Sequence, residues 1–153
     1  FNLDTPIDAS LNSEVALVAR DGDDGSGGNL VGLLFSATGE ANLKGRLGFD
    51  RNIGAAIHFV GSDINQWDAG RWYHAVGVLD PTAGITLYVD GVKQAYHSDP
   101  STAPSQNNSQ PGSLGQWGRL SIRHFKGKMD DIRIYDRALS AVEIQSLHGM
   151  RKR

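Results

Sequence analysis

Carboxylate side chains are the first candidates for chemistry in this 153-residue chain, which has 14 Asp but only 3 Glu. Hydrolysis of a glycosidic bond requires one protonated and one ionised carboxyl group flanking the sugar. Glu14, Glu40 and Glu143 are dispersed along the chain. Asp130 and Asp131 are adjacent, so a strand would point them to opposite faces. There is also no nucleophile elbow and no phosphate-binding glycine loop. The sequence therefore predicts a domain that is not an enzyme.

Metal-ligand patterns are incomplete. Asp21, Asp23 and Asp24 have part of the spacing of a calcium-binding EF-hand loop, but Gly25 occupies the third ligand position and the closing glutamate is missing. A glycine-rich turn explains these residues equally well. The five histidines lack the spacing of a zinc site. We interpret His74 as a hydrogen-bonded structural residue.

Two tryptophans lie next to turns. Trp67 is close to Ile64 and Trp72, which favours packing in the core. Trp117 lies between Gly115 and Gly118 after a long polar segment. An exposed indole ring offers apolar area and an N–H donor, so both packing and ligand binding stay open for Trp117.

The composition of the chain limits the classes of partner that it can bind. Fifteen Lys and Arg against 17 Asp and Glu give a formal charge of −2, which does not supply the positive field that nucleic-acid binding needs. No apolar run reaches the roughly 20 residues that span a bilayer, so no membrane insertion is expected. There are no cysteines, and a chain of this length buries an adequate core without disulfides or metals.

The elements that would position these residues are mostly strands. Segments with alternating apolar and polar residues are separated by turn residues. They span residues 14–20, 30–38, 42–50, 55–60, 71–79, 84–90, 118–124 and 129–135. Asp90 and Gly91 predict a two-residue hairpin turn in which both residues have positive φ. Residues 98–115 form a long polar loop.

One helix is predicted at the end of the chain. Ser140 and Glu143 have the spacing of a capping box, and Leu139 and Ile144 that of a hydrophobic staple. We expect the helix to end near His148. The prediction is an all-β fold, an antiparallel β-sandwich of the jelly-roll type with one short C-terminal helix. It comprises a single domain over residues 1–148 and a basic tail over 149–153.

Two faces are expected on the strand over residues 71–79. We assign the bulky set, Trp72, His74, Val76 and Val78, to the core. The opposite face would then expose Tyr73, with Tyr88 on the next strand, as the aromatic edges of a shallow floor. Arg119, Ser121 and Arg123 alternate with apolar residues on a later strand and are expected on the same side.

Two stretches carry a resemblance to a known family. Residues 68–76 (DAGRWYHAV) and 85–91 (ITLYVDG) resemble the Trp-x-His and Leu-Tyr-Val-Asp-Gly signature of laminin-G-like, concanavalin-A-like jelly rolls. Residues 125–140 (FKGKMDDIRIYDRALS) are similar to that family's closing strand and the turn into its last helix. The family's opening strand, with its Phe-Asp-Gly pattern, is absent. We expect it to be removed, altered or supplied by another chain.

The resemblance implies a structural Ca²⁺ near Asp130, which would point inward if Ile132 and Ile134 are core residues. The alternative is a carboxylate that accepts backbone N–H groups or pairs with an arginine. Because Ca²⁺ takes about 6–8 oxygen ligands, the absent strand weakens the metal hypothesis.

The resemblance also implies a binding module of an extracellular or cell-surface protein. The leading ligand is an oligo- or polysaccharide, with Tyr73, Tyr88, Trp117 and Arg123 as the candidate contact residues. The alternatives are a structural or adhesion domain that recognises protein, an accessory domain of a larger polysaccharide-active enzyme, a domain without a ligand of its own, and a degenerate catalytic sandwich. A solvated sheet face explains the same pattern.

Overall fold

The computed structural model describes residues 1–20, 31–37, 43–53, 56–97, 101–102, 112–117 and 123–150. The strands are β1 (Asn2–Leu3), β2 (Val15–Arg20), β3 (Val31–Phe35), β4 (Leu47–Ile53), β5 (Ala56–Gly61), β6 (Ala75–Asp80), β7 (Gly84–Val89), β8 (Val92–Lys93), β9 (Gly112–Leu114) and β10 (Gly127–Lys128). The helix is α1 (Ala141–Met150).

Antiparallel pairing gives a five-stranded sheet in the order β5-β4-β3-β2-β9, a three-stranded sheet β6-β7-β8 and a two-stranded ribbon β1-β10. This confirms the prediction of an antiparallel β-sandwich of the jelly-roll class with one short helix. The predicted hairpin is also confirmed, since Asp90 and Gly91 both have positive φ, 50° and 78°. This combination is that of a type I′ turn, whose twist matches that of the two flanking strands.

An aromatic cluster fills one end of the core between the sheets. Phe1 stacks on Tyr73 with 5.3 Å between ring centroids, and Trp67 meets Tyr73 edge to face at 4.9 Å. The Trp67 indole N–H donates a 2.8 Å hydrogen bond to the Gly45 carbonyl. A side chain at Gly45 would collide with the Asp8 backbone, so glycine permits this close approach. The prediction that Trp67 packs in the core is confirmed.

The C-terminal helix has the predicted start. Ser140 N–H donates to the Glu143 carboxylate at 2.8 Å, and Glu143 N–H donates back to Ser140 Oγ at 3.3 Å. Leu139 and Ile144 pack in one cluster with Val78 of β6. The helix continues to Met150, two residues beyond the expected end.

The segment 129–135 differs from its prediction. The strand β10 ends at Lys128, and residues 129–135 do not form a strand. Ile132 and Ile134 are 45% and 91% exposed. Asp131 has φ of 57°, a left-handed conformation that interrupts an extended strand. The predicted strand over 118–124 and the loop over 98–115 lie mostly outside the described residues.

Candidate binding site

The outer face of the five-stranded sheet is lined by small side chains in its centre. Phe49 on β4 points into the core, so the next residue, Asp50, points outward. Asp50 pairs across the sheet with Gly32 on β3 and with Phe59 on β5. Gly32 has no side chain, whereas Phe59 places an aromatic ring beside Asp50 on the same face of the sheet.

Three side chains, those of Trp117, Arg123 and Glu14, lie together beside this surface. The Trp117 ring packs against Ala16, Ala19 and Leu34 on the outer face. The Arg123 guanidinium lies 4.2 Å from the Trp117 ring centroid and forms a 2.8 Å ion pair with Glu14. Together with Asp50 they form what we call the Trp117 cluster.

Local structure fixes the position of Arg123. Its carbonyl accepts a 3.0 Å hydrogen bond from Ala16 N–H on β2, which ties the segment to the sheet. Arg123 has φ of 58°, a conformation uncommon for residues other than glycine. The backbone turn thus directs the guanidinium over the Trp117 ring.

Asp50 is the electrostatically unusual residue of the cluster. Its Oδ1 atom is enclosed and has no hydrogen-bond partner among the described residues. Burial, and after it the negative charge of Glu14, raises the pKa of Asp50 to about 7. The carboxyl group is therefore close to half-protonated at neutral pH.

Two carboxyl groups on one face invite comparison with a hydrolytic pair, but their surroundings do not suit that role. An acid or base must reach the substrate within hydrogen-bond distance. The Asp50 Oδ1 is enclosed, and the Glu14 carboxylate is engaged by Arg123. What the cluster offers is a rigid set of charged hydrogen-bonding groups on an aromatic base.

Tyr73 does not lie on an exposed floor as predicted. Its side chain is 2% exposed and its Oη accepts a 2.8 Å hydrogen bond from Asp68 N–H. The assignment of faces was wrong, because Trp72 is 48% exposed while Tyr73 packs against Phe1 and Trp67. A buried Tyr73 cannot contact a surface sugar.

Tyr88 is likewise not part of an open floor. Together with Val76 it packs against the cluster of Val78, Leu139 and Ile144, so α1 covers this face of the three-stranded sheet. His74 lies at the same end, with its ring 5.8 Å from that of His148. Of the four predicted sugar contacts, only Trp117 and Arg123 come together.

Asp130 does not point inward as predicted. It is exposed, and its Oδ1 accepts a 2.8 Å hydrogen bond from Asp131 N–H. Within the described ranges, no group of three or more His, Cys, Asp or Glu side chains is placed to share a metal ion. These residues therefore do not fit the calcium site that the family resemblance implies.

Several predicted residues fall outside the described part of the chain. Arg119 and Ser121 are among them, as are Asp21, Asp23 and Asp24 of the aspartate-rich turn. Their placement stays a prediction.

Sequence reasoning did not select Glu14 or Asp50 as site residues. The signal for Asp50 was the alternation in β4, where a carboxylate follows the buried Phe49. No local pattern predicts that Glu14 lies near Arg123, because more than a hundred residues separate them in the chain.

The comparison with family models agrees with the fold. A laminin G-type family model, described as the concanavalin A-like lectin/glucanases superfamily, matches residues 7–145. A solved structure of an S-layer domain-containing protein from Clostridium thermocellum is similar, with 22% identity and a TM-score of 0.44. The alignment covers 90% of this chain and 64% of that one, so this chain spans less than two thirds of its length. The search of curated proteins found no match. In the described residues, no helix is long and apolar enough to cross a membrane.

Proposed function

Because the chain belongs to the concanavalin A-like lectin/glucanases superfamily, we propose that it is a non-catalytic module that binds an oligo- or polysaccharide at the Trp117 cluster. The observation that supports this is the ion pair of Arg123 and Glu14 stacked on the Trp117 ring. We also propose that the module works outside the cell or at its surface, where such glycans occur.

The chemistry of the cluster suits sugar hydroxyl groups. A guanidinium donates several N–H groups in one plane, and a carboxylate accepts O–H donors from the same hydroxyls. Stacking on Trp117 holds the guanidinium in place, so little conformational entropy is lost on binding. Arg123 and Glu14 keep 30% and 13% of their side-chain surface exposed, which leaves them accessible from solvent.

The test is a glycan-array screen followed by calorimetric titration of the best oligosaccharide. We expect Arg123→Ala to weaken binding at least tenfold, the effect of losing about 1.4 kcal/mol. Arg71→Ala is the matched control, because Arg71 also pairs with a carboxylate, Asp90 at 2.8 Å, but on the other sheet. Unchanged affinity in a folded Arg123→Ala protein would contradict the proposal.

The same titration separates binding from hydrolysis. Under this proposal the oligosaccharide is recovered intact after prolonged incubation with the protein. Release of new reducing ends that is lost in Glu14→Gln would instead indicate a catalytic sandwich. Binding of a protein ligand, with no glycan bound on the array, would favour the adhesion alternative.

Calcium is a separate proposal that rests on the family resemblance alone, because the described side chains do not support it. The measurement is thermal unfolding in EDTA and in excess Ca²⁺, because an ion that binds only the folded state raises the midpoint. A rise that disappears in Asp130→Ala would place calcium at this residue. An equal midpoint under both conditions would remove calcium from the proposed function.

A further inference from the structure

The strand β2 contains a β-bulge beside the Trp117 cluster. Ala16 and Val18 pair with two consecutive residues of β3, so Leu17 is an extra residue in β2. A bulge shifts the alternation of side chains by one position. As a result, Ala19 rather than Val18 shares the outer face with Ala16. The Trp117 ring packs on both alanines, so the bulge provides a seat of two small side chains for the indole.

The bulge also holds the two segments that supply the cluster. The Leu17 carbonyl accepts a 2.8 Å hydrogen bond from Gly115 N–H, in the turn before the tryptophan. The neighbouring Ala16 N–H donates to the Arg123 carbonyl at 3.0 Å. A third hydrogen bond, 2.8 Å from Phe125 N–H to the Gly115 carbonyl, ties the two segments to each other. The backbone around the tryptophan and the arginine is therefore fixed to one point of β2.

One polar side chain links this strand to the tryptophan. Ser113 on β9 pairs with Ala19 on β2, next to the seat of the indole. The Ser113 Oγ donates to the Ala19 carbonyl at 3.1 Å and to the Gln116 carbonyl at 2.9 Å. The Gln116 carbonyl belongs to the peptide bond that leads into Trp117. A single hydroxyl group thus connects β2 to the peptide plane that sets the direction of the Trp117 side chain.

We infer that Ser113 is a positioning residue for the glycan-binding site and acts through Trp117 rather than by contact with the ligand. This role rests on the function proposed above, because it concerns the same site. The Trp117 ring carries the Arg123 guanidinium, which in turn pairs with Glu14. A rotation of the peptide bond between Gln116 and Trp117 would therefore move the aromatic base and the ion pair together. Groups that are held less precisely bind more weakly, since they must be ordered when the ligand binds.

The end of β9 explains why a hydroxyl group suits this position. The strand ends at Leu114, and Gly115 has φ of 70°, a left-handed conformation in which the chain leaves the extended path. A side chain that bridges the strand and the turn can hold the residues that follow. Loss of the hydroxyl removes this donor from the Gln116 carbonyl, whereas β2 and β9 keep their backbone pairs. We therefore expect the fold to persist and the geometry of the site to change.

The test compares two substitutions of the same shape. Ser113→Thr keeps the hydroxyl group and Ser113→Val replaces it with a methyl group, and both β-branched side chains suit a strand. The first measurement needs no glycan, because NMR reports the exchange of the Arg123 Nε–H with solvent and the chemical shift of the Trp117 indole N–H. Exchange should be about fivefold faster in Ser113→Val than in Ser113→Thr, the effect of losing one hydrogen bond. Equal exchange rates and equal indole shifts in the two variants would overturn the inference.

The second measurement is calorimetric titration with the oligosaccharide selected on the glycan array. Ser113→Val should bind it about fivefold more weakly than Ser113→Thr. The control is Thr82→Val, which removes a hydroxyl group that donates to Asp80 at 2.7 Å in a turn of the other sheet. It should lower stability without changing affinity. Faster Arg123 exchange in Ser113→Val, in a protein that binds no glycan, would support the positioning role and contradict the proposed function. Equal affinity of the two Ser113 variants would contradict the positioning role and leave the proposed function intact.

Discussion

The two outer faces of this sandwich are covered in different ways. On the three-stranded sheet, Ile144 of α1 and Leu139, just before the helix, pack over Val78, an apolar contact that excludes water. On the five-stranded sheet, Trp117 packs on Ala16, Ala19 and Leu34 and lies under the ion pair of Arg123 with Glu14. The first face stabilises the fold through hydrophobic burial, and the second keeps charged groups near the surface, where they can recognise a ligand. Mutations on the two faces should therefore separate stability from binding.

The largest effect is expected under the helix. Ile144 is fully buried, so Ile144→Ala should lower the free energy of unfolding by roughly 2–5 kcal/mol through lost burial and a cavity. Urea unfolding measures this loss. Glycan affinity of the folded fraction should not change, since Ile144 lies on the other face. Val142→Ala is the control on the same helix, because Val142 is 71% exposed, and should change stability by less than about 0.5 kcal/mol.

Asp50 provides the corresponding test on the other face. Burial raises its pKa in the folded protein to about 7, from an ordinary value of 3.8. Its contribution to stability is therefore complete below about pH 4, declines as pH rises through 7, and is absent at higher pH. Asp50→Asn removes this decline. Above pH 8 the variant should be more stable than the parent, by at most about 4 kcal/mol for a shift of about three pKa units.

The pH series has an internal control of opposite sign. Hydrogen bonds from Thr82, and then Ala83 N–H, lower the pKa of Asp80. Its contribution is present at neutral pH and is lost as pH falls through the lowered pKa. Asp80→Asn should therefore flatten the acid side of the stability profile, whereas Asp50→Asn flattens the neutral side. Parallel profiles for Asp50→Asn and the parent would show that Asp50 titrates normally.

Local chemistry explains what the sequence predicted correctly. The Asp90-Gly91 turn and the Ser140 capping box depend on residues within a few positions of each other, so their patterns are sufficient. The faces of β6 were assigned wrongly because both faces are covered. The smaller set of residues is the one that faces the core, where Phe49 fills the space above Gly77 so tightly that a Cβ there would lie 2.4 Å from its ring.

Long-range pairing explains what sequence reasoning missed. The strand predicted over 129–135 has the right alternation, but a strand needs a neighbour, and a cleft lined by both segments lies between residues 129–135 and β6. The Trp117 cluster brings Glu14 and Arg123 together from distant parts of the chain. Trp117 and Arg123 were both predicted as site residues from their types, yet their contact with each other and with Glu14 is a product of the fold.

The ion pairs on the two sheets should differ in how much each contributes to the free energy of unfolding. Arg123→Ala removes a 2.8 Å ion pair with the partly buried Glu14 and the stacking on Trp117, so we expect a loss of about 1–2 kcal/mol. Arg71→Ala breaks a pair with Asp90 whose arginine is 57% exposed, and should cost less than about 1 kcal/mol. Urea unfolding at low and high salt compares them. An equal loss of stability in both variants would mean that the ion pair of the Trp117 cluster stabilises the protein no more than the exposed pair of Arg71 and Asp90.

The smallest expected effect is at the start of α1. Ser140→Ala removes the Oγ that accepts a hydrogen bond from Glu143 N–H, and should lower stability by about 1 kcal/mol. Ser146→Ala is the control, since the Ser146 Oγ donates to the Val142 carbonyl inside the helix, where alanine is at least as favourable. If α1 only covers the three-stranded sheet, neither change alters glycan affinity. If the Ser140→Ala protein is fully folded but binds the glycan more weakly, the helix contributes to the binding site. That result would contradict the view that one face stabilises the fold and the other binds the ligand.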